Sequence, residues 1–476
     1  MNRTPTMREK IANIFLVLSV SSFAALLYIN SNIFPKHHIS HFLGEEKLKT
    51  GIVGVIKSPV LTRKPYYGKI NSMYLFEIEA IKEEDDWRDV KGLAQIRIQT
   101  EKDYGYGDRL VVRGTVKRPI SRRLKPAATD NGDVSATNDD KVAATFTPYQ
   151  IFEVVKFGTG FRLRKGDFNY REYLERQNIF AVINTKENNI TLLSHNYRSN
   201  PILKYTYLIR EKLKNQILEK MPLESGAFLS AILLGDRSEL PKHLQTAFKN
   251  CGVYHIMAIS GLHVGLVAAA LLYLFRFFRM KREAAYILTI LFIVFFAMLA
   301  LSRPSVVRAT VMVVLFFIGR LLGKKIDISN SVAMAALFIL IRNPHDVFNV
   351  GFQLSFVAVL SIIFLAPLFL NLIKTEKNFI INRFFLAPFA VSLAAWIGTS
   401  PLIVYYFKIV TPVAVIANLL IIPALFVSLI SGLVFLLFGW MDFAAGVLVS
   451  ANNLCCNVIF ALADFFAGLK FGHFYI

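Results

Sequence analysis

The chain has 476 residues, of which 54% are hydrophobic, with a mean hydropathy of +0.46 and a formal net charge of +21. That apolar excess excludes an ordinary water-soluble globular domain, and the basic balance points to loops held on the cytoplasmic side of a membrane or to a polyanionic or lipid-headgroup partner. The cysteines, Cys251, Cys455 and Cys456, all lie in or beside apolar segments, which excludes a disulfide framework in the polar part and reads as small packing residues.

In chain order, Arg3, Arg8 and Lys10 precede an apolar stretch from Ile11 to Ile29. It is long enough to span a bilayer and lacks a clean small-residue cleavage site, so residues 1–34 read as a cytoplasmic tail and uncleaved anchor. Residues 35–200 are polar and alternating. Ile52–Ile56, Tyr74–Ile81, Leu93–Ile98 and Leu110–Val116 predict short strands bounded by Gly, Pro and Asp, and together a small antiparallel barrel. Residues 122–147 are too polar for a core and read as a disordered insertion. Asp167–Arg176 and Tyr207–Met221 mix aromatic and charged residues, as helices lying on a membrane surface do, with packing against the barrel as the alternative. Residues 201–224 form an amphipathic connector.

Residues 225–476 turn apolar again. Gly252–Phe275, Ala284–Leu301, Val306–Leu322, Ile328–Ile341, Val347–Ile373, Phe384–Phe407, Ile409–Phe438 and Phe443–Phe466 bring the expected count, with the anchor, to about nine spans of roughly 20 residues. With the N-terminus in the cytoplasm, the basic loops at 276–282, 320–325 and 374–383 all fall inside, leaving the barrel and the C-terminus outside. Pro367, Pro388, Pro401, Pro412 and Pro423 predict that some spans are broken or re-entrant, which favours a conduit or transporter over an anchor; a kinked packing helix is the alternative at each. The expected fold class is a polytopic α-helical membrane protein with an inserted extracytoplasmic all-β domain.

The run His255-Ile-Met-Ala-Ile-Ser-Gly-Leu-His-Val-Gly-Leu is the most unusual segment, because ionisable residues are expensive at membrane depth. Arg237, His255, Ser260, His263, Arg303, Arg308, Gln353, Ser355 and Asn418 are candidates to line a hydrated path for a charged strand, and Gly261 and Gly265 permit close helix approach or a local break. Ser260 and His263 are three apart and share a helical face, so a nucleophile and base can meet, but no acid accompanies them locally. An intramembrane hydrolase, and a transporter of another polyanionic or lipid-linked substrate, therefore stand beside the conduit. The spacing of His255 and His263 matches no standard metal site, no cofactor motif is present, and the absence of a Gly-x-x-x-x-Gly-Lys loop means the chain is not itself an ATP-driven motor.

Several stretches occur in an order that resembles the ComEC/Rec2 family of competence DNA-uptake channel proteins: Ala231-Ile-Leu-Leu-Gly-Asp-Arg-Ser-Glu-Leu, which carries Asp236 and Arg237, then Phe248–Tyr254, the run from His255, Ser305-Val-Val-Arg-Ala-Thr-Val-Met, Asn343-Pro, Gly351-Phe-Gln-Leu-Ser-Phe and Ala417-Asn-Leu-Leu-Ile-Ile-Pro. The stretches beginning at Tyr104 and Gly166 are similar to landmarks of that family's extracytoplasmic OB-like domain. The resemblance implies import of single-stranded DNA across the bacterial inner membrane during natural transformation. It implies a five-stranded barrel, in which Arg97, Arg109, Arg113, Lys117 and Arg118 with Tyr104 and Tyr106 are the candidates for strand binding. Implied partners are a membrane DNA receptor, a nuclease acting in trans and a cytoplasmic helicase-like motor. The family's C-terminal metallo-beta-lactamase-like domain has no counterpart before Ile476, so nuclease activity in cis is not expected.

Overall fold

The computed structural model describes residues 37–43, 47–58, 62–66, 69–83, 86–100, 102, 104–119, 170–175, 177–324, 328–373 and 379–475. These fall into two compact units, one within residues 37–208 and one over residues 209–475. The expected anchor and the insertion at 122–147 lie outside the described residues.

The first unit is built by alternation. Strands β1 (Leu48–Ile56), β2 (Thr62–Tyr66), β3 (Lys69–Glu83), β4 (Asp86–Gln99) and β5 (Arg109–Lys117) are followed by a short helix α1 (Tyr170–Glu175) and strands β6 (Ile179–Lys186) and β7 (Ile190–Ser194). The sheet runs β1-β3-β4-β6-β5, and β5 pairs back onto β1, so five strands close into a ring, with β2 and β7 attached to β3 and β5. Inward residues at period two, among them Ile52, Tyr74, Phe76, Ile96, Ile98, Leu110, Val112 and Ile183, fill the ring and are fully buried. The expected strands all form, but the barrel is not wholly antiparallel: β6 pairs parallel with β4. In the sequence β4 and β6 are separated by residues 100–178, and a parallel pair requires such a separation where a tight hairpin would enforce the antiparallel sense.

The second unit is helical. Helix α2 (Pro201–Lys220) leads into it, followed by α3 (Leu223–Leu234), α4 (Lys242–Asn250), α5 (Gly261–Phe277), α6 (Arg282–Leu299), α7 (Pro304–Leu321), α8 (Ile328–Arg342), α9 (Val350–Ile373), α10 (Phe379–Phe407), α11 (Ala414–Phe438) and α12 (Asp442–Ala467). A two-residue strand β8 (Ile409–Val410) pairs with β9 (Phe474–Tyr475). Among the described residues, six helices are long and apolar enough to cross a membrane: α6, α7, α9, α10, α11 and the Ala445–Ala467 part of α12. The chain is a multi-pass membrane protein with a β unit. Helices α3, α5 and α8 are apolar but shorter.

Two expectations about the spans change. The stretch Gly252–Ser260 is not helical: a 3-10 turn covers Tyr254–Met257, and α5 begins only at Gly261. Gly252 has φ +78°, and a Cβ there would lie 2.6 Å from Thr411 Oγ1, so the chain turns where it touches the α10–α11 link. Three of the prolines do not interrupt their helices, since α9, α10 and α11 run through Pro367, Pro401 and Pro423; Pro412 lies in the non-helical link before α11, and a π turn at Asn382–Leu386 stands just before Pro388.

Helix α3 is the hub of the unit. Its residues from Ser225 to Leu234 are all buried, so it has no polar face to expose. Phe228 stacks against Phe248 of α4 and Phe460 of α12 with ring centroids 5.6 and 5.3 Å apart. Polar side chains also join helices: Ser225 Oγ donates to Asn453 Oδ1 at 2.6 Å, and Asn452 Oδ1 accepts from Ser431 at 3.0 Å. The segment Tyr207–Met221 packs in neither expected way at its end, because Ile217 and Met221 enter the α3 core.

Candidate functional site

Helix α5 starts at a polar junction. Ser260 occupies its N-cap position with an extended backbone, and His263 stands at the third helical position in a capping-box arrangement. The Ser260 backbone N–H donates to His263 Nδ1 at 3.2 Å, and Ser260 Oγ lies 2.9 Å from the same nitrogen. A nitrogen that accepts a backbone N–H is unprotonated, so the neutral ring carries its hydrogen on Nε2. That atom is fully buried and has no hydrogen-bond partner among the described residues.

Two other turns converge on this start. Helix α3 ends at Gly235 in the left-handed region, φ +71°, and a Cβ there would lie 3.0 Å from Arg303 Nε and 3.3 Å from Ile259. Ser305, at the first turn of α7, donates to the Ile259 carbonyl at 2.8 Å. Arg237, only 6% exposed, lies over the Tyr254 ring at 6.0 Å, and both Arg237 and His255 are close enough for their charges to act on His263. His255, in the turn before α5, has an exposed side chain. Arg237, His255, Ser260, His263 and Arg303 are thus gathered around the start of α5, with Asp236 beside them in the α3–α4 turn.

Arg308 belongs to a second group one turn further along α7. Its Nη2 donates to the Gly351 carbonyl at 2.9 Å, its Nε is buried without a partner among the described residues, and Asp346 acts on its charge. Gln353 bridges Tyr406 and the Val347 carbonyl, at 2.9 and 3.0 Å. Ser355 is half-buried on α9. Asn418 stands apart, donating to Ser392 Oγ at 3.2 Å between α11 and α10. Gly261 marks the helix start rather than a break within it, and a Cβ at Gly265 would meet nothing within 4 Å, so that glycine faces open space instead of a neighbouring helix.

The barrel candidates separate in the same way. Arg109 donates to Glu79 at 2.8 Å and lies 4.4 Å over the Tyr197 ring, and Arg118 donates to the Ser40 carbonyl. Tyr104 packs on the core against Tyr74, and Tyr106 meets Tyr207 edge-on at 5.1 Å. These four side chains have structural partners, as does Arg97, which donates to Gln95 Oε1 at 3.2 Å. Arg113 is exposed on the outer face of β5. Arg97 and Lys117 flank β6, opposite Asn184 and Val182, and burial, with Arg97 and Lys47 beside it, holds the Lys117 ammonium below the usual lysine range.

A family profile described as Competence protein matches residues 232–476, just over half of the chain. The chain belongs to the competence protein family. The matched segment begins inside α3 and contains every polar residue gathered around α5 and α7. Among curated proteins, ComE operon protein 3 of Bacillus subtilis is 31% identical over 309 residues, 62% of this chain and 37% of that protein. An uncharacterized protein of Aquifex aeolicus is 30% identical over 259 residues, 54% of this chain and 56% of that one. The competence-family chain therefore aligns with about a third to a half of the length of these relatives. No solved structure matches it.

Sequence reasoning missed Arg210, which is 5% or less exposed on α2 and bonds two helix ends, and Tyr254, which stacks with Arg237. A buried arginine in a basic amphipathic segment has no signature of its own, because Lys204, Lys212 and Lys214 around it carry the same charge.

Proposed function

We propose that this protein is a membrane conduit that imports single-stranded DNA during natural transformation. The observation that carries the reading is the convergence of Arg237, Arg303, His255 and the unpaired Nε2 of His263 on the start of α5, inside an otherwise apolar helical unit. Phosphates crossing a bilayer need cationic and hydrogen-bonding walls, and helix starts add oriented N–H groups. Membership of the competence family and the likeness to ComE operon protein 3 support the same reading.

The β unit acts as the receiving domain. Its closed ring of five strands supports reading it as an OB-like barrel, a fold that binds single strands on a basic face with stacking aromatics. Of the seven candidates, Arg113 and Lys117 are left to meet phosphates, since Arg97, Arg109, Arg118, Tyr104 and Tyr106 are engaged within the unit. In this reading the N-terminus is cytoplasmic and the barrel extracytoplasmic, with a DNA receptor, a separate nuclease and a helicase-like motor as partners.

A hydrolase is the second reading, favoured by the 2.9 Å Ser260–His263 contact. Against it, the same His263 nitrogen already accepts the Ser260 backbone N–H, and its other nitrogen has no carboxylate to orient it. Uptake of labelled DNA in a strain deleted for the gene tests the conduit. Internalised, nuclease-resistant label should fall to background and return with the wild-type gene; normal internalisation in the deletion strain would refute the conduit. Loss of a hydrolytic activity in Ser260→Ala, with import intact, would establish the second reading instead.

A further inference from the structure

Arg210 is the strongest feature that the conduit reading leaves unused. It lies on α2, the helix that carries the chain from the β unit into the helical unit, and its side chain is buried. One guanidinium nitrogen donates to the Leu234 carbonyl, at the end of α3, and to the Leu299 carbonyl, at the end of α6, the latter at 2.8 Å. Each carbonyl belongs to the last turn of its helix, where unsatisfied oxygens and the helix dipole favour a cation. Asp236, immediately beyond α3, closes the group: its carboxylate lies 2.7 Å from Lys214 and 3.9 Å from Arg210.

The positions of those two helix ends give the arrangement its meaning. Gly235, Asp236 and Arg237 follow Leu234, and Leu301, Ser302 and Arg303 follow Leu299 by one residue. Leu301 and Ser302 are successive non-glycine residues in the left-handed region, with φ of +55° and +46°, a conformation that persists only where surrounding contacts impose it. The result is that Arg303 lies across Gly235. Arg210 therefore holds the roots of both turns that present Arg237 and Arg303 to the start of α5.

We infer that Arg210 is a positioning residue that couples the connector helix α2 to the mouth of the conduit. Force or displacement along α2, as when the β unit engages a strand, shifts the α3–α4 and α6–α7 turns together and so resets the two arginines that receive the phosphates. Lys214 and Asp236 lock the same joint. This inference rests on the conduit reading for what is gated, but the joint itself rests on the bonds of Arg210.

The test uses the full-length protein in a strain lacking its own copy, with three readouts: protein in the membrane, nuclease-sensitive DNA bound outside and nuclease-resistant DNA inside. Arg210→Met should leave the first two at wild-type levels and lower import about tenfold or more, as expected for losing charge-assisted bonds at a functional joint. Arg210→Lys, which keeps the charge but not the planar fork, should restore part of it. In purified protein, Arg210→Met should speed amide exchange at residues 235–237 and 301–303 and leave α12 unchanged. Wild-type import by Arg210→Met would overturn the inference, as would a uniform rise in exchange along all helices. If Arg210→Met does not accumulate, Lys214→Met decides: it removes one ion pair, and a drop in import of roughly twofold or more with unchanged external binding supports the joint, whereas wild-type import overturns it. The deletion strain separates the two levels, since normal import there removes the conduit reading itself.

Discussion

The β unit and the helical unit keep their charges in opposite places. In the barrel the inward positions are apolar apart from Ser72, and Arg109 and Arg118 are held at its edge by Glu79, Tyr197 and the Ser40 carbonyl. In the helical unit Arg210, Arg237 and Arg308 are each 6% exposed or less and sit at helix ends or on interior faces, where backbone carbonyls and rings hold them. A charge on a barrel surface needs no structural reason, whereas a guanidinium among apolar helices must be hydrogen-bonded or face a hydrated space. The helical unit is therefore where charge and fold are most tightly linked, and the barrel surface is where a charge can be exchanged at the least structural cost.

That contrast can be broken most severely at the cores. Phe228→Ala, which empties the centre of the α3 hub, should cost about 3–5 kcal/mol and remove the protein from the membrane, as an immunoblot would show. Phe76→Ala removes a comparable ring from the barrel, and by the same scale it should abolish external DNA binding while protease digestion still yields an intact helical fragment. Loss of both units together would show that they do not fold separately.

Next in size is Arg308→Met, which leaves the Gly351 carbonyl without its donor and removes an interior cation; import should fall roughly tenfold while external binding persists. In the barrel, Lys117→Met should weaken binding of a single-stranded oligonucleotide by about threefold and lower its salt dependence. The same change should raise thermal stability. The folded-state pKa of Lys117 is depressed below its unfolded value, so its charge opposes folding at neutral pH, and that opposition fades as pH rises through the folded value toward the ordinary lysine range. Wild-type stability should therefore gain more than that of Lys117→Met over that window, and an equal pH response would contradict the cation cluster. The smallest effect is expected at Asn452, whose amide joins α11 and α12: Asn452→Ala should cost about 0.6–2 kcal/mol and leave import unchanged.

Much of this architecture is legible from residues. Period-two alternation locates β1, β3, β4 and β5, and unbroken apolar runs locate the long helices. The parallel pairing of β6 is not legible, because pairing sense depends on a crossover with no local pattern. The start of α5 is hidden too: Gly252–Ser260 is as apolar as a span, and only its contact with Thr411 and Ala414 imposes the turn. The polar residues of the site stand out singly in the sequence, since each is out of place in its surroundings. Their assembly does not, as Gly235 and Arg303 meet only where the end of α3 reaches the α6–α7 turn, and Arg210 is disguised by the lysines around it.

The central claim is that the run from His255 opens onto a hydrated path, and thiol accessibility tests it most directly. In a protein with Cys251, Cys455 and Cys456 replaced by Ala, His255→Cys should react in intact membranes with a small membrane-impermeant thiol reagent, and added single-stranded oligonucleotide should slow the reaction. Val264→Cys, fully buried on α5, is the internal standard and should stay unreactive. A His255→Cys thiol as inert as that at Val264, or one reacting at the same rate with and without the oligonucleotide, would contradict the account.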